Sequence, residues 1–509
     1  MMNLKNNYYI SSFFWSTSSK LLNAVFNFLA VPLLLGLYGK ADYGLLAIAT
    51  SCNGYMHLLD FGMNTGAVKF FSQWRTEGNV DMIRKVGATN TTFYLIVGVI
   101  NILGLIALAI WGEPLFNISH PQFLILRQCL LIIALFSIFS WSIAPFSQLL
   151  TAYKQMAFVM QMESLLPLLK IILICFTLYF QLPMIHYFFG MTLILSSLLI
   201  PYAWRCLHDG IIKTLMPKWF WGDFKIVLIF SLSIFVLSLF RVTATQSRPI
   251  LLSMFANDGA EAVAEYNIIS VFPTFIIMLS GTFSSIFLPQ ASELVTHRNQ
   301  RNIENFAYKW TTLSTLVVNI LCIPFILGAQ EVLKAYVGTS YVNLSLWLIL
   351  WIATVLIQMH TTAGDALILA YGHTRPLVIT SAIACTSSVV LNIVLCPWLQ
   401  VGAAVVSYLF YVVIVIGVNY TFLYKHLLQL SRFKMLTCFL KPTFVGAITL
   451  AFCSLIPFDI ILGGSDNRWE SILSFCMKGF TWLIIYILCV HLFHILPIQS
   501  IFKRSKHVI

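Results

Sequence analysis

The chain is 509 residues long, 59% hydrophobic and only 9% charged, with a mean hydropathy of +0.87. A soluble protein carries roughly 25% charged residues, so this composition excludes a soluble enzyme and describes an all-α, polytopic membrane protein. The formal charge of +12 suggests a nucleic-acid partner only until the basic residues are located, because they cluster in alternate loops as a membrane topology requires.

Many apolar runs exceed the roughly 20 residues needed to cross the hydrocarbon core, and none alternates as a membrane β-barrel would. Fourteen spans are predicted, at about 10–37, 43–69, 88–111, 124–151, 158–180, 186–204, 225–255, 262–289, 306–329, 344–371, 376–398, 401–424, 439–461 and 471–496. The first runs well past Asn27 with no small-residue cleavage site, so it is expected to stay in the protein. With the N-terminus placed in the cytoplasm, the outer loops hold only Lys40, Arg127, Lys334 and Arg468. Most other basic residues fall inside, which puts both termini in the cytoplasm.

A weak internal repeat sets Asp42-Tyr43, which opens span 2, against Glu265-Tyr266 in span 8. It divides the chain into six-helix halves at 1–213 and 218–424, an appended helix pair at 439–496 and a basic tail at 497–509. Halves of six spans share one orientation, so a pseudo-twofold axis along the membrane normal is expected between them.

No loop is long enough to house a soluble catalytic domain, and no phosphate-binding G-x-x-x-x-G-K-[ST] loop occurs, so ATP is not expected to drive this chain. Asp60-Phe61-Gly62 spells the kinase metal-binding triplet, but it lies inside a span with no companion motif and is read as chance. The eleven cysteines sit almost entirely within spans without C-x-x-C spacing and read as packing residues. No metal site or resident cofactor is expected.

The informative residues are polar groups placed in apolar runs. In span 2, Asn53, His57, Asp60 and Asn64 fall at i, i+4, i+7 and i+11, one stripe of a continuous helix. Lipid cannot face such a stripe, so a water-filled cavity inside the bundle is its simplest surrounding. Span 1 carries Ser16, Lys20, Asn23 and Asn27 at the same intervals, and span 7 carries Ser238, Arg241, Thr245 and Arg248 on one face. Span 5 adds Glu163 and Lys170, and span 10 adds Gln358, Thr361 or Thr362, and Asp365. The embedded cations are Lys20, Lys170, Arg241, Arg248 and Lys478, against Asp60, Glu163 and Asp365. Lys478 lies near a helix end and can snorkel. Glu163 and Lys170 can be read as a structural pair or as cavity groups. The positive excess calls for an anion, and two guanidiniums two turns apart suit a diphosphate.

Tyr43-Gly44-Leu45-Leu46, Leu59-Asp60-Phe61-Gly62-Met63 before a basic loop, and a basic seventh span carry a resemblance. In their order the chain resembles the Wzx-like polysaccharide flippases of the multidrug/oligosaccharidyl-lipid/polysaccharide (MOP) exporter superfamily. The resemblance implies two bundles around a cationic cavity, alternating access, and passage of undecaprenyl-diphosphate-linked glycan (an O-antigen, capsule or exopolysaccharide unit) across the bacterial inner membrane. It further implies membrane lipid, a glycan polymerase and a chain-length regulator as partners, and no enzymatic activity. The cavity cations would be Lys20, Arg241, Arg248, Lys69 and Lys170. Asn23, Asn27, Asn53, His57, Asn64 and Thr245 would line the cavity, and Asp60 or Asp365 would serve as counter-ion, coupling transport to H+ or Na+. Two other readings stay open: a multidrug or cation extruder of the same superfamily, and a membrane glycan polymerase or ligase.

Overall fold

A computed structural model describes residues 2–212, 217–296, 299–372, 374–456 and 467–493. The expected basic tail at 497–509 and the ends of spans 13 and 14 lie outside the described residues.

The described residues are helical throughout and contain no strand. Without water to satisfy backbone groups, a spanning chain must bond its own amides, and the helix does so locally. The order is α1 (Met2–Met56), a 3-10 turn (His57–Asp60), α2 (Met63–Glu77), α3 (Val80–Trp111), α4 (His120–Ala152), α5 (Met156–Phe180), α6 (Met184–Ser196), α7 (Leu199–His208) and α8 (Trp221–Phe255). There follow α9 (Gly259–Thr296), α10 (Gln300–Leu327), α11 (Ala329–Val337), α12 (Ser345–Met359), α13 (Thr362–Ala370), α14 (Thr374–Leu399), α15 (Val401–Val418), a π-helical stretch (Asn419–Leu427), α16 (Arg432–Ser454) and α17 (Arg468–Leu492). Among the described residues, 12 segments are long and apolar enough to cross a membrane. The first of these, Phe14–Asp60, is 47 residues long and breaks at Gly39, whose φ is 80°. The 35-residue α8 lies where the seventh predicted span runs.

The chain divides into two compact units, 1–267 with 389–404, and 268–388 with 405–509. In the first, α3 packs along α4 and α1 along α5. Its core gathers Phe71, Trp74, Tyr94, Trp141, Tyr202 and Phe224. In the second, α10 packs on α16 and α11 on α17, around Phe287, Phe306, Leu367, Tyr424 and Met435. Lys478 of α17 ties to Glu331 of α11 at 2.5 Å, so a paired lysine replaces the snorkelling one that its position suggests. Large apolar side chains such as Leu103, Ile172, Ile379 and Phe444 are exposed, as a lipid-facing surface requires.

Three predicted spans are interrupted, among them span 6, which breaks at Ser197 and Leu198 between α6 and α7. Span 2 does not run as one helix: the chain leaves α1 through the 3-10 turn, then turns at Phe61 (φ 50°) and Gly62 (φ 73°) before α2 begins. Span 10 breaks at His360 and Thr361, between α12 and α13. Beyond α7, the Asp209 carboxylate accepts a 2.6 Å hydrogen bond from Gln155 and lies 3.0 Å from Arg205. The Gln155 bond, with His208 and Arg205, holds it below the usual carboxylate range.

Candidate functional site

The break in span 2 alters the expected polar stripe. Because the helix stops at Met56 and restarts at Met63, Asn53 and Asn64 sit on different elements, with His57 and Asp60 in the turn between. Asp60 is held in place by its neighbours: the Tyr94 hydroxyl donates to Oδ1, and the Asn64 amide donates to Oδ2 at 3.3 Å. Gln148 donates to the Tyr94 hydroxyl at 2.8 Å, and Asn90 donates to Gln148 at 2.7 Å. Asn90, Tyr94 and Gln148 are fully buried. All three bonds of this relay point toward the carboxylate, so each polarises the next and the negative charge is solvated by protein dipoles. A second small network joins Asn101 to Ser137 at 3.2 Å and to Asn53 at 3.5 Å. The exposed His57 ring lies 5.1 Å from that of Trp141.

The candidate cavity cations Lys20, Lys69, Lys170, Arg241 and Arg248 lie on α1, α2, α5 and α8, all within the first unit, whereas Lys478 lies on α17 in the second. Lys20 is exposed on α1, with Asn27 exposed and Asn23 half-buried. Lys170 is only 8% exposed on α5, where its ammonium lies 5.3 Å from the ring of Phe26 on α1. It makes no ion pair with Glu163, and among the described residues no carboxylate pairs with Lys20 or Lys170. Lys69, exposed on α2, sits 3.6 Å from the centre of the Phe230 ring. Arg248 is buried within α8, and Thr245 is exposed one turn earlier, bonded to the Val242 carbonyl at 3.0 Å. Arg241 lies in α8, but its side chain, like that of Ser238, is outside the described residues.

Asp365 belongs to the second unit and follows the break in span 10. Thr361 donates to one carboxylate oxygen at 2.8 Å, and Asn419 donates to the other at 3.0 Å. The break itself is held by His360, whose Nε2 lies 2.9 Å from the Tyr420 hydroxyl and whose ring stacks on Phe439 at 4.1 Å. Asn419 opens the π-helical stretch, a conformation frequent at functional sites. The partners Tyr94, Gln148, Asn90 and Asn419 were not singled out from sequence. The signal available was a lone polar residue in each of several otherwise apolar runs.

The ammonium groups of Lys20, Lys69 and Lys170 in the first unit are chemically able to hold anions. A proton or a small cation can be held at Asp60 or Asp365, neither of which pairs with a basic side chain among the described residues. Among those residues no cluster of His, Cys, Asp and Glu has metal-ligating geometry.

The fold is that of an all-α, multi-pass membrane protein and resembles the fold of MOP-superfamily transporters. It is similar to the lipid II flippase MurJ in its inward closed conformation, with a TM-score of 0.68 and 15% identity over 95% of this chain and 98% of that one. It is also similar to an inward-facing multidrug resistance MATE family transporter of the MOP superfamily, with a TM-score of 0.62 and 12% identity over 84% of this chain and 98% of that one. A MOP-superfamily transporter from Pyrococcus furiosus matches with a TM-score of 0.56 and 12% identity over 87% of this chain and 95% of that one. These neighbours are transporters and a flippase, and at such identities the likeness is one of fold. No family model and no curated protein matches the sequence.

Proposed function

We propose that the chain is a flippase that carries a polyprenyl-diphosphate-linked glycan from the cytoplasmic to the outer leaflet of the bacterial inner membrane by alternating access. The observation that carries this reading is the pair of embedded lysines, Lys20 on α1 and Lys170 on the adjoining α5, that no described carboxylate neutralises. A cation held at membrane depth is costly unless an anion or water compensates it, and a diphosphate supplies that anion. Arg248, Arg241 and Lys69 would complete the diphosphate site, while Asn23, Asn27, Asn53, His57, Asn64 and Thr245 would offer hydrogen bonds to sugars. The MurJ neighbour, itself a flippase of a lipid-linked substrate, supports the same class of cargo.

Replacing Lys20 and Lys170 together by Ala is expected to abolish surface glycan and to accumulate the lipid-linked precursor on the cytoplasmic side, with protein levels unchanged. Export at the wild-type rate would remove the anion-site claim.

A second reading, a proton- or sodium-driven extruder of cationic drugs, is favoured by the unneutralised carboxylates of Asp60 and Asp365 and by the MATE neighbour. Asp365→Asn separates the two. An extruder would lose efflux of a cationic dye such as ethidium, whereas a flippase would lose ion coupling of glycan export and show no dye efflux in either form.

A further inference from the structure

Two lysines of α16 define a site that the transport reading does not use. Lys434 and Lys441 are seven residues apart, so they share one face of the helix, about 10 Å apart along its axis. With Tyr308 and Thr312 of α10, and with Thr437 and Cys438, they line a cavity of about 390 Å³. The Lys434 ammonium lies 6.0 Å from the centre of the Tyr308 ring, and the Ser431 amide donates to the Tyr308 hydroxyl at 3.0 Å, which fixes the ring as one wall. Both lysines are exposed, and among the described residues no carboxylate pairs with either.

Two ammoniums on flexible four-carbon stems, lining one cavity with no acid to satisfy them, suit a phosphate. The surroundings decide where that phosphate comes from. Phe493 also lines the cavity and is 69% exposed, and Phe444 on α16 is 67% exposed, so the cavity opens onto an apolar, lipid-facing surface. A soluble anion gains nothing from such a border, whereas a phospholipid lays its acyl chains there while its head group reaches the lysines. The basic start of α16, with Arg432 beside Lys434, is the end that the charge asymmetry assigns to the cytoplasm, the side where anionic lipid attracts basic segments.

We infer that this cavity binds the phosphate head group of an anionic membrane lipid, with Lys434 and Lys441 gripping the phosphate between α10 and α16. The site lies wholly in the second unit and stands whether or not the glycan reading holds.

Cys438 is the reporter. The full-length protein, purified in neutral detergent, is labelled with a maleimide in the presence of dioleoylphosphatidylglycerol, dioleoylphosphatidylcholine or inorganic phosphate. Labelling of Cys438 is then read by peptide mass spectrometry. The expected result is protection by phosphatidylglycerol at concentrations where the other two give none. In Lys434→Gln/Lys441→Gln the concentration needed should rise roughly 30-fold. Equal protection by phosphatidylcholine, equal protection by inorganic phosphate alone, or unchanged protection in the double variant would each overturn the proposal. If the double variant fails to elute as the wild type does, Lys441→Gln alone carries the same comparison. Counting bound lipids by native mass spectrometry gives a readout independent of the cysteine: one phosphatidylglycerol fewer in the variant is expected, and an unchanged number overturns the site.

Discussion

Tyr94 makes two hydrogen bonds through one oxygen, donating to Asp60 and accepting from Gln148, in a place where water cannot substitute for either. Tyr94→Phe keeps the ring and its packing against Trp141 but strands a carboxylate oxygen and a buried amide. Hydrogen bonds to charged groups contribute about 1.5–3 kcal/mol each, so the variant should unfold at a lower temperature by an amount matching about 2–4 kcal/mol. Thermal unfolding in detergent checks this, with Gln148→Leu expected to fall short of it because the Tyr94–Asp60 bond survives. An unchanged midpoint in Tyr94→Phe would mean that the relay is not holding the acid. At this scale the sequence was half legible. Asp60 announces itself as an acid in an apolar run, and so does Asp365. Their partners come from α3, α4 and the π-helical stretch, where isolated polar residues have no period to mark them.

The breaks in the helices have identifiable causes. Gly62 occupies the left-handed region, and a Cβ there would stand 2.6 Å from the Ser231 carbonyl oxygen on α8. The residue therefore serves two needs at once: it lets the chain turn between the 3-10 segment and α2, and it lets that turn approach α8 at backbone distance. Gly44 meets a similar constraint, with a Cβ 1.9 Å from the Ala260 carbonyl oxygen. Two glycines of the motifs that carried the family resemblance thus have packing reasons. Gly62→Ala should cost about 1–2 kcal/mol for the left-handed backbone alone, and more for the displaced carbonyl. Gly36→Ala is the control, since no atom lies within 4 Å of its Cβ position, and a helical glycine replaced by alanine should be neutral or stabilising by up to about 1 kcal/mol. Unfolding midpoints of the two variants measure the contrast, and equal midpoints would contradict it. Element type was legible from hydropathy because apolar runs of this length can only be helices. The break at Gly39 falls where a loop was expected between spans 1 and 2, whereas the interruptions at residues 57–62 and 360–361 were not legible, because polar residues inside a long span read as a stripe on a continuous helix and only the tertiary neighbours reveal the turn.

At the scale of the whole molecule, alternating access demands that contacts closing one end give way during the cycle. If the chain works as proposed, an ion-pair clamp within the first unit would be such a closure. The Lys40 ammonium lies 2.6 Å from Glu261 and 2.8 Å from Glu265, joining α1 just past its Gly39 break to the start of α9. Beside it Asn117 accepts from the Gly259 amide at 3.0 Å and donates to the Ala256 carbonyl at 2.6 Å. Partly exposed ion pairs of this kind contribute up to about 1 kcal/mol each, so the clamp is weak enough for substrate binding to open it. A covalent bridge is not. Lys40→Cys/Glu261→Cys, in a background where the exposed Cys175 and Cys476 are serine, can be joined by a cleavable bis-maleimide. Joining should stop export of surface glycan and trap the precursor inside, and cleavage should restore export. Lys40→Ala, by contrast, should leave export running, because it loosens the closed end without sealing it. Export that continues in the fully cross-linked protein would show that this end of the first unit stays shut throughout transport, and the path would then have to avoid α1 and α9.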